Sequence, residues 1–231
     1  MTQAIELSKE FLEEMEKEQE FILDSFKYKP KKVRQNSKKE LILFHGTSLK
    51  HFEKIRKQGI MPRKRRKSNW EGIGLSRPDL VYLTSCYACY YAAIASDSLK
   101  NDAPIILKIK VDPTKIKLYV DEEFIYHALS YNRSDNKAMA EDLYQSIDPK
   151  KIDKGIGITG RFKRKPTWED SLNYLGTVSC DFIPPENIVG YATLSRSEIL
   201  RYCDPMISVI NYKVMSGQYI QHLNSLKYKK L

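Results

Sequence analysis

The sequence predicts an α+β domain, and three observations support that class. The chain has 231 residues, of which 42% are hydrophobic and 11% aromatic, and this is enough for one packed domain. Short apolar segments typical of strands are interspersed with segments of helical periodicity. The regular strand–helix rhythm of a parallel α/β sheet is missing from this order, which favours α+β.

Two parts of the chain differ in composition. Residues 4–27 place apolar side chains near one helical face and many glutamates on the other, which predicts an amphipathic helix. Residues 28–39 hold six lysines and arginines, a proline and no acidic residue, which is typical of a basic linker. We therefore predict a helical extension with its linker at 1–39 and a main domain at 40–231.

The main domain can be divided into elements in chain order. The first half is predicted to contain a strand at 41–44, a helix from Ser48 to Gly59, a loop at 61–79, a strand at 81–83, an alanine-rich helix at 86–96 and a strand at 104–111. In the first helix, Leu49, Phe52 and Ile55 share a face. The second half is predicted to contain helices at 121–129 and 136–146, a loop at 148–166, a helix capped by Thr167, strands at 177–182 and 188–194, and a helical tail from 197.

Positive charge is concentrated in a few places. The formal net charge is +10, and besides the linker there are basic runs at 63–67 and 161–165. Clustered cations neutralise phosphates and release counterions, although a single run is also common on an ordinary solvated surface. The runs together predict a nucleic-acid partner, contacted by Arg63, Lys64, Arg65, Arg66, Arg161, Lys163 and Arg164.

Membrane and secretory classes are disfavoured. No stretch approaches the roughly 18 consecutive apolar residues that span a bilayer, and residues 1–20 lack the apolar region of a signal peptide. The four cysteines are irregularly spaced, which suits a reducing compartment. Cys86 and Cys89 have no second pair to complete a zinc site, so we expect core thiols, no metal and a cytoplasmic protein.

The segment 43–48 contains the most informative residues. His45 follows a short apolar strand and precedes a glycine and two hydroxyls, Thr47 and Ser48. Glycine permits close approach of a ligand, and hydroxyls at a helix start can bind sugar or phosphate oxygens. A second predicted strand, at 81–83, is also followed by hydroxyl side chains and a helix. It carries Tyr82, whose ring can stack on an aromatic ligand. A histidine satisfied within the core remains the alternative for His45.

These two segments resemble the ADP-ribosyltransferase superfamily of the diphtheria-toxin and PARP type. That family has a His in an HG-T/S turn, followed by a Tyr on the next strand ahead of an alanine- and tyrosine-rich helix. Here the segments read Phe-His-Gly-Thr-Ser at 44–48 and Val-Tyr-Leu-Thr at 81–84. The segments 55–60 and 183–188 are similar to the family as well, and the resemblance covers roughly residues 41–195.

The resemblance implies a split β-sheet that binds NAD⁺ in its cleft and transfers ADP-ribose. The implied binding residues are His45 for the ribose, the Gly46 backbone for the carboxamide, Thr47 or Ser48 for ribose oxygens, Tyr82 for stacking on nicotinamide, and Tyr90 or Tyr91 as a second stacking face. Nicotinamide departs through an oxocarbenium-like state, which requires a fixed NAD⁺ conformer and a positioned acceptor.

The third position of the family pattern is different here. It is usually a glutamate, and the matching position falls on Gly176 or Thr177. Glu169, Asp170 or Asp181 could supply the acid instead, although Asp170 is spaced as a capping-box partner of Thr167. The catalytic set is therefore predicted as His45, Tyr82, Thr177 and Glu169. Related enzymes without the glutamate transfer a single ADP-ribose, so mono-ADP-ribosylation is expected.

The acceptor and the biological role are predicted only from the resemblance and from the positive charge of the chain. RNA, DNA or protein could be the acceptor, and small basic enzymes of this type are often toxins or phage–host conflict effectors with a regulator or antitoxin. A catalytically inactive binding module stays open. So does RNA 2′-phosphotransferase, which is similar over Gly59–Arg63, although the histidines expected to follow are replaced here by lysines and arginines.

Overall fold

The computed structural model describes residues 32–63, 76–96, 102–125, 166–195, 197–199 and 209–231. Several predictions fall outside these ranges: the helix at 4–27, most of the helix at 121–129, the helix at 136–146, and the basic residues 64–67 and 161–165. They stay predictions.

One antiparallel sheet organises the described residues. Its strands are β1 (Leu41–Ser48), β2 (Val81–Thr84), β3 (Pro104–Val111), β4 (Leu118–Tyr119), β5 (Thr177–Cys180) and β6 (Ile188–Thr193). They lie in the order β4-β5-β2-β1-β3-β6, and every neighbouring pair is antiparallel. The predicted α+β class is confirmed.

Helices lie between and after these strands. They are α1 (Leu49–Gln58), α2 (Ala88–Ala95), α3 (Trp168–Tyr174) and α4 (Val209–Ser225), with a 3₁₀ turn at Pro185–Asn187. Residues 122–125 and 197–199 are also helical. Gly59 ends α1 with a positive φ of 77°, a conformation that glycine adopts without strain.

Two predictions about the first strand and helix were wrong in detail. The strand was expected at 41–44, but β1 pairs with β3 at eight register positions, from Leu41 to Ser48. This pairing holds the whole Gly-Thr-Ser segment in extended conformation, so it is strand and not turn. Leu49 was expected on the buried face of α1, but it is 47% exposed, whereas Phe52 is buried.

Both faces of the sheet are covered by apolar side chains. One cluster includes Leu43, Leu83 and Leu107 with Phe52 from α1. The second cluster includes Phe44 with Ala88, Cys89 and Ala92 from α2 and Leu223 from α4. Burying one large side chain contributes about 1.5–3 kcal/mol, so these layers hold the sheet in place. Cys86 and Cys89 are each 1% exposed, which confirms them as core thiols.

The junction between β1 and β2 is the least paired part of the sheet. It has one register pair, Phe44 with Thr84, whereas β1 and β3 share eight and β2 and β5 share four. The strands therefore fall into two groups, β4-β5-β2 and β1-β3-β6, that meet along few main-chain hydrogen bonds. His45 and Tyr82 lie on the two strands at this junction.

Helix α3 begins with the capping box that the sequence predicted. The Asp170 N–H donates to Thr167 Oγ1, and the Thr167 N–H donates to Asp170 Oδ2. We expect Thr167→Ala to lower the free energy of unfolding by about 1 kcal/mol, because the Asp170 N–H in the first turn loses its side-chain acceptor. Urea denaturation would measure this, with the exposed Thr193→Ala as the matched control. Equal losses in both variants would contradict the capping role.

Candidate functional site at the β1–β2 junction

His45 and Tyr82 are in contact across the junction between β1 and β2. The contact joins the His45 side chain to the main chain of Tyr82. The His45 Nδ1 atom lies 2.9 Å from the Tyr82 carbonyl oxygen. A carbonyl can only accept a hydrogen bond, so Nδ1 carries the proton. Burial lowers the pKa of His45, which favours the neutral ring. Nε2 is then the unprotonated nitrogen and has a lone pair available.

The remaining nitrogen of His45 is free to meet a ligand. Nε2 has no hydrogen bond to any residue in the described ranges, and the side chain is not fully buried. A core histidine normally has both nitrogens satisfied. The geometry therefore provides one hydrogen-bond acceptor of fixed direction, which suits a ligand hydroxyl.

Two hydrogen bonds position the hydroxyl group of Tyr82. It donates to Glu122 Oε1 at 2.5 Å and accepts the Arg77 N–H at 2.7 Å. Burial and the nearby negative charges of Glu122 and Asp121 raise the pKa of Tyr82 well above its usual range, so the phenol stays protonated. These bonds fix the orientation of a largely buried aromatic ring on the residue whose main-chain carbonyl binds His45.

Glu122 was missed by the sequence reasoning. Its side chain is only 2% exposed, and its Oε2 atom has no hydrogen-bond partner within the described residues. Burial and the charge of Asp121 raise the pKa of Glu122 to about 8. The available signal was weak: Asp121 to Glu123 form an acidic triplet directly after an apolar segment, and nothing in the spacing connects it to Tyr82.

The last three residues of β1 are buried: Gly46, Thr47 and Ser48. Thr47 is 5% exposed and Ser48 is inaccessible. A Cβ atom on Gly46 would lie 2.3 Å from the Ala92 main-chain nitrogen, so the close approach that this glycine permits here is that of α2. The structure does not bring the two hydroxyls to an exposed surface, and their role with a ligand stays a prediction.

Helix α2 brings its tyrosines to the same region. The rings of Tyr90 and Tyr91 are 5.9 Å apart and inclined by 50°, and both residues are partly exposed. Burial and then the charge of Asp121 raise the pKa of Tyr91 well above its usual range. The role of Tyr90 or Tyr91 as a second stacking face stays a prediction.

The position matched to the family glutamate offers no carboxylate. Gly176 has a φ of 77°, and its carbonyl accepts hydrogen bonds from the Ser85 N–H and the Thr84 hydroxyl, both at 2.8 Å. Thr177 is 1% exposed and pairs with Thr84 across the sheet. Its Oγ1 atom is buried without a partner in the described part of the chain.

The carboxyl groups considered as substitutes have other contacts. Glu169 is 3% exposed and accepts the Asn36 N–H at 2.8 Å, which fastens residues 32–36 to α3. Asp170 belongs to the capping box, and Asp181 accepts the Tyr119 hydroxyl at 2.7 Å. The carboxyl that reaches Tyr82 is that of Glu122.

Arg63 is the described member of the predicted nucleic-acid-binding set. Its guanidinium donates to both the hydroxyl and the carbonyl of Ser76. These hydrogen bonds link residue 63 to residue 76. Lys64, Arg65, Arg66, Arg161, Lys163 and Arg164 lie outside the described residues.

Comparisons with protein-family models, with curated proteins and with solved structures found no match to this chain. Within the described ranges, no helix is long and apolar enough to cross a membrane. No group of three or more His, Cys, Asp or Glu side chains is arranged there to hold a metal ion. The chemistry of the residues at the β1–β2 junction is therefore what indicates a function.

Proposed function

We propose that the protein is an NAD⁺-dependent mono-ADP-ribosyltransferase with a split-sheet catalytic core. The hydrogen bond from His45 Nδ1 to the Tyr82 carbonyl carries this proposal. It joins the two residues of the family pattern at the junction where β1 and β2 share one register pair. It also leaves His45 Nε2 as an acceptor for a ribose hydroxyl.

NAD⁺ is the donor substrate in this proposal, and the polar groups present fit it. Ribose hydroxyls are hydrogen-bond donors, and the site presents the unprotonated imidazole nitrogen of His45. The anchored ring of Tyr82 offers an aromatic face for nicotinamide. Cleavage of the N-glycosidic bond depends on holding one conformer, which such fixed groups favour.

The acceptor is proposed to be a nucleic acid or a protein. The net charge of +10 favours a polyanion, contacted by the basic residues outside the described ranges rather than by Arg63, whose guanidinium binds Ser76. A role as a cytoplasmic toxin or phage–host conflict effector, controlled by a regulator or antitoxin, belongs to the same proposal.

A second candidate is a binding module of the same fold without catalysis. The backbone at the glutamate position favours it, because Gly176 adopts a positive φ and Thr177 is buried. A side chain at Gly176 would be strained in this conformation. This candidate predicts that NAD⁺ or a nucleotide binds without release of nicotinamide.

Release of nicotinamide from NAD⁺ tests the proposal. The folded protein is incubated with NAD⁺ alone and with RNA, DNA or cell lysate, and we expect release that rises with one acceptor class. His45→Ala is expected to lower kcat/KM about 100-fold, because the donor loses a positioning contact. His51→Ala, which removes an exposed histidine, is the matched control. Absence of release under every condition would favour the binding module, and 2′-phosphorylated RNA would be the next substrate.

A further inference from the structure

Glu122 is a buried carboxyl group with an incomplete set of hydrogen bonds. Tyr82 donates to Oε1, and Oε2 has no partner within the described residues although the side chain is 2% exposed. Buried polar groups in native proteins are nearly always hydrogen-bonded, so an orphaned carboxyl oxygen requires an explanation. The N–H groups of Arg77 and Glu122 favour the charged form, as does the hydrogen bond that the Tyr82 hydroxyl donates to Oε1.

The surroundings of Glu122 do not neutralise its charge. Among the described residues, no Lys, Arg or His forms an ion pair with it. Arg77 is close in space, because its N–H donates to the Tyr82 hydroxyl, but its guanidinium binds Asp79. Among the described residues, the groups that face Glu122 are the Tyr82 hydroxyl from β2, the Arg77 N–H and the carboxyl of Asp121 from its own segment. The environment therefore resists ionisation, as expected for a group that exchanges a proton.

Hydrogen bonds hold both the main chain next to Glu122 and its carboxyl group. The Asp121 N–H donates to Ser171 Oγ, and that hydroxyl donates to the Thr177 carbonyl, so the segment is joined to α3 and β5. Tyr82 then connects the carboxyl to His45, because its carbonyl binds the imidazole and its hydroxyl binds Glu122. A rigid frame of this kind holds a reacting group in one orientation.

We propose that Glu122 is the acid–base residue of this site, and that its Oε2 atom takes the proton from the attacking group of the acceptor. The inference rests on the proposed function and adds to it a residue that lies outside the family pattern. It also defines the acceptor chemically, as a group that attacks through an O–H or N–H and must lose that proton.

The step balances without any further reactant. The bond between C1′ of the ribose and the nicotinamide nitrogen breaks, and its electron pair leaves with nicotinamide. A bond forms between C1′ and the acceptor oxygen or nitrogen. The acceptor proton moves to the Glu122 carboxylate and is then released to water. When water is the acceptor, the same step hydrolyses NAD⁺, so Glu122 also matters without an added acceptor.

The test compares Glu122→Gln with wild type in nicotinamide release across pH 5.5–9.5. We expect kcat to fall about 100-fold with little change in KM, as for loss of a general base. Wild-type kcat should rise with pH towards about 8, where the pKa of Glu122 lies, and this rise should disappear in the variant. Glu186→Gln, which removes an exposed carboxyl on the 3₁₀ turn, should keep the wild-type profile.

A second variant, Tyr82→Phe, keeps the inference testable if Glu122→Gln fails to fold. Tyr82→Phe removes a hydrogen bond that favours the Glu122 carboxylate, so it should move the rise in kcat to higher pH. Wild-type activity with an unchanged pH profile in both variants would overturn the inference and leave the proposed function standing. Absence of nicotinamide release in wild type under every condition would overturn the proposed function and the inference with it, and calorimetry would then show whether NAD⁺ still binds.

Discussion

Gly46→Ala is expected to lower the free energy of unfolding by about 3 kcal/mol, the upper end of the usual range for overpacking. A Cβ atom at this position would lie 2.3 Å from the Ala92 nitrogen and 2.4 Å from the Ala88 oxygen. Both are main-chain atoms of α2, so no side chain can rotate away to make room. The helix must move from the sheet, and its contacts with Phe44 are disrupted.

Urea denaturation of Gly46→Ala and Gly190→Ala would separate this clash from a general effect of alanine. At Gly190 the nearest atoms to a new Cβ are at 3.1 Å, so a small adjustment is enough and a loss below about 1 kcal/mol is expected. Similar stability of wild type and Gly46→Ala would show that α2 does not pack on β1 in this way. Because His45 adjoins Gly46, a shift of α2 should also reduce ligand binding at the junction.

Local signals explain which elements could be predicted. The capping box of Thr167 and Asp170 is determined by neighbouring residues, and α3 begins where it predicts. β4 is two residues long and exists through its pairing with β5, so no local pattern indicates it. The Gly-Thr-Ser end of β1 has the composition of a turn, but pairing with β3 overrides that tendency.

The candidate site could be predicted only in part, for the same reason. His45 and Tyr82 belong to short motifs, and these can be found in the sequence. The contact between them depends on strand pairing, and it joins an imidazole to a main-chain carbonyl rather than two side chains. Glu122 is 40 residues from Tyr82 in the chain, and its carboxyl becomes distinctive only when the fold buries it.

The stability of Glu122→Gln relative to wild type is expected to increase as the pH rises from 4.5 to 9. The folded state raises the pKa of Glu122 from 4.5 to about 8, so it binds the proton more tightly than the unfolded state does. This contribution to wild-type stability is complete below pH 4.5 and is lost as pH rises through 8. Glutamine carries no charge and therefore does not show this loss, which is on the order of 5 kcal/mol at pH 9.

The free energies of unfolding of wild type and Glu122→Gln should therefore be compared at several values between pH 4.5 and 9. The informative quantity is the change in their difference with pH, because the new amide adds a constant offset through an unpartnered N–H. Glu186→Gln should show a difference that does not vary with pH. A flat difference for Glu122→Gln would contradict the raised pKa. A rising difference would show that wild type keeps a destabilising carboxyl beside Tyr82, as proteins do where activity requires it.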